Sequence, residues 1–399
     1  MNSLIAAHRR ALPLLLRRRV VIHHPRRSLS SAATAATTAT TTTTTTTARP
    51  YSALLPQDDA TTTDDCSSSS SSSSSIVDVT NIAWDMRKSV REYTASLLLL
   101  DDDNNQKLKL VGILAQDGPH RDDSNFYSDI VGTTFMEDGI DYELIRVFGT
   151  QPHAIEAAIQ TANARQDVHG ILVYYPIFKQ QQAAPAVRGP YKNRLTGVFY
   201  KNHDDYLRDI VSSGKDVEGL CQSYNTARSF DRNDNDNNND NSGVVYPCTA
   251  LSVFKILEAQ RETWTGLTIT IINRSEILGR PLAAMLSSHG AHVYSIDADS
   301  ILQFRPGGQQ SRVTDMTLEL CLQASSIVVS GVPSSSFSLP CEYIMPGSTV
   351  VNVSEFENVP EQLILDIPDI QFVPHVGKVT VAALEQNLVQ LHKNRNVIN

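Results

Sequence analysis

The folded part of the chain alternates between short apolar runs and segments in which apolar residues recur at helical spacing. Uncharged, β-branched runs are typical of strands buried on both faces, and apolar steps of three and four residues indicate amphipathic helices. The pattern predicts strands over 108–115, 142–147, 170–175, 268–273, 292–296, 326–332 and 349–353. It predicts helices over 82–100, 125–136, 155–164, 251–262, 277–288 and 379–392. This alternation predicts a parallel sheet covered by helices on both faces.

The segment 268–299 restricts the function most. It reads as a strand, a polar turn from Asn273, a helix with Gly279 near its start, and a second strand closed by Asp297. Such a βαβ unit presents backbone N–H groups at the carboxyl end of the sheet, and a carboxylate after the second strand can hold an adenosine ribose. The unit indicates a nicotinamide or flavin dinucleotide. Because the turn lacks most of G-x-G-x-x-G, a βαβ unit without a ligand remains the alternative.

The predicted architecture is α/β, with two parallel-sheet domains and a cleft between them. Ligands of such sheets bind beyond the carboxyl ends of the strands, which directs attention to the loops after Ala115 and Tyr175. Asp231–Asn241 is nearly all Asp and Asn and is interpreted as a solvated surface loop rather than a metal site.

Composition narrows the class of protein. A chain of 399 residues is long enough for two or three domains, and a net charge of −9 argues against a nucleic-acid surface. The five cysteines form no CxxC pair, so we expect no structural zinc and no disulfide framework. No apolar run approaches the roughly 20 residues that span a bilayer, so no membrane partner is expected.

The N-terminal region differs in character. Residues 1–57 contain no Asp or Glu, and arginines recur among Leu, Ala and Ser, as in a mitochondrial presequence. A secretory signal fits less well because Arg17 closes the apolar run 14–16. Runs of Thr over 40–47 and Ser over 67–75 follow. We expect a disordered presequence and tether over 1–75 and a mitochondrial matrix location, with a low-complexity tail on a cytoplasmic protein as the alternative.

Seven segments, in this order and spacing, resemble the methylenetetrahydrofolate dehydrogenase/cyclohydrolase family. They are R-D-D-S-N-F-Y (121–127), G-I-L-V-Y-Y-P (170–176), K-D-V-E-G (215–219), P-C-T (247–249), N-R-S-E-I-L-G-R-P (273–281), S-G-V-P (330–333) and P-H-V-G-K-V-T (374–380). The resemblance implies a folate-binding catalytic domain over 76–247, a Rossmann NAD-binding domain over 248–373, and a loop and helix over 374–399 that return to the first domain. It also implies a homodimer and a tetrahydrofolate substrate, with or without a polyglutamate tail.

Two departures from the family bear on the reaction. Bifunctional members have Y-x-x-x-K, but the fourth residue after Tyr127 is Val131, and their glutamine after G-I-L-V is Tyr174 here. Valine cannot carry the acid–base work of a cyclohydrolase, whereas hydride transfer mainly requires positioning. The resemblance therefore implies a monofunctional dehydrogenase of one-carbon metabolism and purine biosynthesis, oxidising 5,10-methylenetetrahydrofolate. A bifunctional enzyme using another base such as Lys378, or an inactive folate- or nucleotide-binding protein, remains the alternative.

The cofactor implied is NAD. NADP-using relatives place a serine and a basic residue after the second strand, where this chain has Asp297-Ala298-Asp299, and two carboxylates would repel a 2′-phosphate. Arg274 matches an arginine that grips this phosphate in NADP relatives. We expect it to pair with Asp297, with a bound phosphate ion as the alternative. The cofactor-binding candidates are Asn273, Arg274, Ser275, Gly279, Asp297 and Ala298.

The remaining candidates concern the folate, and no metal site is expected. Glu218 stands where the family has aspartate and should accept hydrogen bonds from the amino-pyrimidine edge of the pterin, while Tyr127 should stack along the folate. The catalytic candidates are Tyr127, Tyr174 and Glu218. The substrate-binding candidates are Val131, Val173, Tyr175, Pro374, Val376 and Gly377. For the tyrosines, core packing is the alternative role.

Overall fold

Two sheets of different size, the smaller all parallel and the larger mostly parallel, organise the protein, seen here in a computed structural model. The structure describes residues 73–100, 107–116, 121–148, 152–177, 191–192, 199–200, 202–221 and 245–398. These residues all belong to one compact unit. The predicted presequence and most of the tether, together with the Asp/Asn-rich loop 231–241, lie outside the described residues.

The smaller sheet comes first in the chain. Its strands are β2 (Lys109–Ala115), β3 (Asp141–Val147) and β4 (Gly170–Val173), in the order β3-β2-β4 and all parallel. The helices of this half are α1 (Thr80–Leu100), α2 (Arg121–Glu137), α3 (Pro152–Ala164) and α4 (His203–Ile210). A short antiparallel pair, β5 (Tyr191–Lys192) and β6 (Phe199–Tyr200), precedes α4. Beyond β4, Asp216 forms a parallel bridge to Ile171, so the K-D-V-E-G stretch runs beside this sheet.

The strands of the larger sheet are β1 (Ser75–Ile76), β7 (Thr268–Ile272), β8 (His292–Asp297), β9 (Ser300–Phe304), β10 (Gln310–Val313), β11 (Ile327–Ser330), β12 (Thr349–Asn352) and β13 (Gln371–Val373). They lie in the order β1-β13-β12-β11-β7-β8-β9-β10. The helices of this half are α5 (Cys248–Glu258), α6 (Gly279–Ser288), α7 (Leu318–Gln323), α8 (Glu361–Leu365) and α9 (Gly377–Ile398). Two 3₁₀ turns, Ser213–Lys215 and Cys341–Tyr343, complete the described elements.

The last helix joins the two halves. α9 packs against α1 and against α5, and its apolar side chains lie in one buried cluster with those of both sheets. The outer faces of the two sheets have cores of their own, one under α3 and α4 and one against β11, β12 and β13. Burial of this much apolar side chain is the main stabilising contribution to the fold. None of the described helices is long and apolar enough to span a lipid bilayer.

The predicted elements are found, with two informative differences. Helix α2 begins at Arg121, inside the predicted loop, and its first turn holds Asp122 and Asp123, whose charges suit a helix N-terminus. Strands β9 and β10 were not predicted; they extend the sheet in antiparallel fashion from β8. Their side chains are mostly half-buried or exposed, so they lack the apolar run by which the parallel strands were recognised.

Candidate functional site

A cavity of about 350 Å³ lies where the carboxyl ends of strands from both sheets meet. This volume is within the range of small-molecule sites. The half containing the smaller sheet supplies Tyr175, Pro176, Arg208, Glu218 and Leu220. The P-C-T segment at the start of α5 supplies Pro247, Cys248 and Thr249. The larger sheet supplies Asn273, Ser275, Ile277, Leu278, Gly331, Pro333, Val353, Ser354 and Glu355. The predicted cleft between two parallel sheets is therefore present, at the ends of β4, β7, β11 and β12.

The loop that carries Glu218 is held rigidly. The buried carboxylate of Asp216 accepts backbone N–H groups from Glu218, Gly219, Leu220 and Cys221, at 2.7–3.1 Å. From α9, the buried Asn387 donates through Nδ2 to the carbonyl oxygens of the residues at 217 (2.8 Å) and 246 (2.9 Å). These bonds fix the acid-bearing loop against the segment that leads into α5.

Glu218 is the carboxyl group of the pocket's inner wall. Its residue is only 8% exposed, and burial together with the nearby charge of Asp216 raises the pKa of its carboxyl to about 8. The positive charge of Arg208 acts in the opposite direction. A carboxyl group with this pKa holds its proton until a ligand offers hydrogen-bond donors that favour the ionised form.

The predicted tyrosines occupy different places. Tyr175 lines the cavity, whereas Tyr127 and Tyr174 are 2% and 1% exposed and do not. The rings of Tyr127 and Tyr174 meet edge to face at 5.9 Å, and the Tyr174 hydroxyl is 2.7 Å from that of Tyr142. Burial raises the pKa of both phenols far above its usual value, so both stay neutral. They are part of the buried apolar cluster that joins the two halves, and their predicted contact with substrate stays a prediction.

The apolar candidates are also part of the core. Val131 and Val173 are 0% and 2% exposed, on α2 and at the end of β4. Val376 is 1% exposed and begins the turn into α9, while Gly377 is the first residue of that helix and Pro374 is half-buried before it. None of these residues is among those that line the cavity, and their contact with a folate stays a prediction.

No lysine lies among the described residues that line the cavity. Lys378, considered from the sequence as an alternative base, is exposed, and its ammonium group donates to the hydroxyl of Thr80 at 2.8 Å. The position at which bifunctional relatives carry their lysine is filled by the buried Val131. The only basic side chain on the described cavity wall is Arg208.

The turn after β7 is shaped by one asparagine. Asn273 donates through Nδ2 to the Gly331 carbonyl at 2.6 Å, and its Oδ1 accepts the Ser275 N–H at 2.6 Å. The turn therefore lies against the end of β11. Gly279 is required there, because a Cβ atom at this position would lie 1.5 Å from the Asn273 carbonyl oxygen. Glycine at this position therefore allows the start of α6 to lie directly against the turn.

The turn fits a dinucleotide phosphate. The start of α6 has no side-chain cap; the Arg280 N–H donates to the Ser275 carbonyl oxygen at 3.1 Å, and Pro281 has no N–H to offer. The Ser275 hydroxyl, which lines the cavity, is buried and has no hydrogen-bond partner among the described residues. The unpaired Ser275 hydroxyl, just before the start of α6, is a donor of the kind that a pyrophosphate accepts.

The acidic end of β8 forms a two-residue hairpin. Asp297 pairs with Ser300 across the turn made by Ala298 and Asp299, and the Asp297 carboxylate accepts the Ala298 N–H at 3.0 Å. Its exposed carboxylate follows the strand next to β7, as the ribose hypothesis requires. Contact of Asp297 and Ala298 with a ribose stays a prediction.

The expected ion pair between Arg274 and Asp297 is not formed. The Arg274 guanidinium donates instead to the carbonyl oxygens of Ser295 and Ser300, each at 2.6 Å, and to the Ser300 hydroxyl at 2.8 Å. It thereby ties β8 to β9 below the acidic hairpin. Sequence spacing could not reveal this, because β9 was not recognised as a strand.

Several cavity residues were missed from the sequence. Arg208 lies on α4, and no motif in the sequence marked it. Cys248, Thr249, Gly331 and Pro333 lie in P-C-T and S-G-V-P, so the segments were noticed but their residues were not assigned to the site. Burial raises the pKa of the Cys248 thiol to about 12, which makes it an inert wall residue rather than a nucleophile.

Comparison with known proteins agrees with this arrangement. The model of the tetrahydrofolate dehydrogenase/cyclohydrolase catalytic domain matches residues 77–188, and that of the NAD(P)-binding domain of the same family matches residues 247–396. These two matches together cover more than half of the chain.

Individual relatives extend over most of the chain. A methylenetetrahydrofolate dehydrogenase (NAD+) from Dictyostelium discoideum is 35% identical over 336 residues, covering 80% of this chain and 94% of its own length. The protein of the same name from Saccharomyces cerevisiae is 33% identical, covering 73% and 88%. The solved structure of the NAD-dependent 5,10-methylenetetrahydrofolate dehydrogenase from Saccharomyces cerevisiae aligns with a TM-score of 0.66 and 28% identity, covering 82% of this chain and 99% of its own.

Proposed function

Because the chain belongs to the tetrahydrofolate dehydrogenase/cyclohydrolase family, we propose that it is an NAD-dependent methylenetetrahydrofolate dehydrogenase. The reaction removes hydride from the carbon that bridges two nitrogens of 5,10-methylenetetrahydrofolate and leaves 5,10-methenyltetrahydrofolate. The observation that carries this function is that one cavity is lined by Glu218 and Tyr175 on one side and by the dinucleotide turn, with Asn273 and Ser275, on the other.

Hydride transfer requires the protein to position the folate carbon against the nicotinamide ring more than it requires proton transfer. The electron pair of the breaking C–H bond leaves with the hydrogen, and a neighbouring nitrogen lone pair stabilises the cation that remains on the carbon. Bound NAD supplies the hydride acceptor. Glu218 holds the pterin by accepting its N–H groups, Tyr175 covers the cavity wall, and the turn at Asn273 holds the dinucleotide phosphates. No protein side chain has to remove a proton from the reacting carbon.

We further propose that the enzyme lacks cyclohydrolase activity. Hydrolysis of the methenyl product needs a group that assists water attack. Val131 fills the place of the family lysine, and Lys378 is bonded to Thr80 at the surface. A lysine near the reacting carbon would also repel the cation that forms there, so its replacement by valine favours the dehydrogenase step.

One set of assays separates this function from its rivals. Purified protein should form NADH from 5,10-methylenetetrahydrofolate and NAD, and should not accelerate the loss of methenyl absorbance when NAD is omitted. Accelerated loss would establish the bifunctional alternative. NAD binding without NADH formation at saturating folate would establish an inactive binding protein and refute the proposal.

Three further properties are proposed. The arginine-rich, acid-free segment 1–57 supports import into the mitochondrial matrix, which fractionation of cells that express the tagged full-length chain would test. Family resemblance supports a homodimer, which light scattering on the eluted protein would test. It also supports polyglutamylated folates as substrates, for which a lower KM than that of the monoglutamate is expected.

A further inference from the structure

Arg208 is a cationic residue of the folate side of the cavity that no family motif marks. It lies in the last turn of α4, a helix capped at its start by the Asn202 side chain. Its guanidinium carbon lies 4.6 Å from the ring centroid of Tyr175, and both residues line the cavity with Glu218. A guanidinium stacked on an aromatic ring is restricted in orientation, so its N–H groups point in fixed directions.

The hydrogen bonds of Arg208 are incomplete. Nη1 donates to Asp205 Oδ1, one turn earlier on α4, at 2.8 Å. The Nε–H group is buried and has no hydrogen-bond partner among the described residues. Arg208 forms its ion pair with Asp205 and none with Glu218. A buried donor without an acceptor costs stability, so its persistence beside a cavity points to an acceptor on the ligand.

The pterin ring of the substrate offers a suitable acceptor. Its amino-pyrimidinone edge has two adjacent donors, the 2-amino group and N3–H, and acceptors on either side of them. A carboxylate can accept from both donors, but it leaves the flanking acceptors unpaired. A guanidinium beside the carboxylate provides the donor that is missing.

We propose that Arg208 is a further substrate-binding residue, whose guanidinium donates a hydrogen bond to a pterin acceptor next to the two donors that Glu218 accepts. This inference rests on the proposed function. Arg208 would then be a second group that recognises the pterin. The pocket would bind the hydrogen-bond acceptors of the pterin ring through Arg208 and its donors through Glu218. The stacked Tyr175 positions the guanidinium for this contact.

The charge of Arg208 has a second effect, on the ionisation of Glu218. Asp216 raises the pKa of the Glu218 carboxyl and Arg208 lowers it, while burial contributes the largest upward shift. The other titratable groups that interact with Glu218 are Cys248 at the start of α5, Tyr127 on α2, and Tyr174 and Tyr175 after β4. These stay neutral near pH 8, so Arg208 is the positive charge that favours the ionised acid on this wall.

The experiment compares Arg208→Gln and Arg208→Lys with the wild-type protein and with Asp205→Asn, which keeps the guanidinium and removes only the negative charge of its helix partner. KM and kcat for 5,10-methylenetetrahydrofolate are measured at saturating NAD from pH 6.5 to pH 9.5, and KM for NAD at saturating folate. Loss of one charge-assisted hydrogen bond should raise the folate KM of Arg208→Gln roughly tenfold or more and leave the NAD KM within about twofold. Its pH profile should move to higher pH. Arg208→Lys should be intermediate, and Asp205→Asn should match the wild type.

Each outcome decides one question. A wild-type protein that makes no NADH refutes the proposed function and this inference with it. An active wild type whose folate KM is unchanged in Arg208→Gln overturns the inference alone. Equal rises in both KM values together with a lowered Tm would mean that Arg208 only supports the fold. If Arg208→Gln does not fold, Arg208→Lys decides by the same criteria, since it keeps the charge but cannot reproduce the stacked, planar donor.

Discussion

The pH dependence of folate binding offers the most direct test of the site. With a carboxyl pKa of about 8, Glu218 in the free enzyme is mostly protonated at neutral pH. Only about a tenth of the molecules carry the carboxylate at pH 7, against about nine tenths at pH 9, and each pH unit below the pKa costs about 1.4 kcal/mol of binding. Because the pterin edge presents N–H donors, the carboxylate is the form that binds it.

We therefore expect kcat/KM for 5,10-methylenetetrahydrofolate, at saturating NAD, to rise about tenfold between pH 7 and pH 9 and then to level off. Glu218→Gln should lower kcat/KM at pH 9 and remove this rise. Glu355→Gln is a matched control, since Glu355 lines the same cavity but is exposed, and its profile should follow the wild type. A flat wild-type profile, or a rise that survives in Glu218→Gln, would refute the assignment of Glu218 as the pterin acceptor.

Stability gives an independent check on the same group. The folded-state pKa of Glu218 is raised above its unfolded value of about 4.5, so the native state holds a proton that the unfolded chain has lost. Its contribution to stability is therefore fully present at low pH and is lost as pH rises from about 4.5 to about 8. Urea unfolding at pH 6 and pH 9 should show a smaller loss of stability over this range for Glu218→Gln than for the wild type.

Three further variants test other parts of the structure. Asp297→Ser combined with Asp299→Arg should shift the ratio of kcat/KM values from NAD toward NADP, and an unchanged ratio would contradict the ribose assignment. Gly279→Ala forces a Cβ atom to 1.5 Å from a carbonyl oxygen of the dinucleotide turn and should cost about 3 kcal/mol or more in urea unfolding, whereas Gly214→Ala, with open space around it, should be nearly neutral. Asn387→Ala leaves two backbone carbonyls without their amide donor and should cost about 2 kcal/mol and raise the folate KM; an unaltered KM would mean that the Glu218 loop holds its place without it.

Much of the fold could be predicted from the local pattern of apolar and polar residues. The parallel strands were recognisable because a strand buried on both faces needs an uninterrupted apolar run, and the helices because one face must bury residues at steps of three and four. The βαβ unit at Thr268–Asp297 could be predicted with its turn, its glycine and its closing acid, since all of these are neighbours in sequence. Strands β9 and β10 were not predicted because few of their side chains are buried, so they have no continuous apolar run.

The site itself depended on contacts between distant parts of the chain. The sequence alone determined the two α/β halves, the dinucleotide turn and the acid in K-D-V-E-G, because each is encoded by adjacent residues. Only the tertiary structure decided that Arg274 binds the carbonyls of β8 and β9 instead of Asp297, and that Arg208 lies on Tyr175 beside Glu218. A long cationic side chain can reach several partners, and which of them it meets is set by how helices and strands from separate segments pack together.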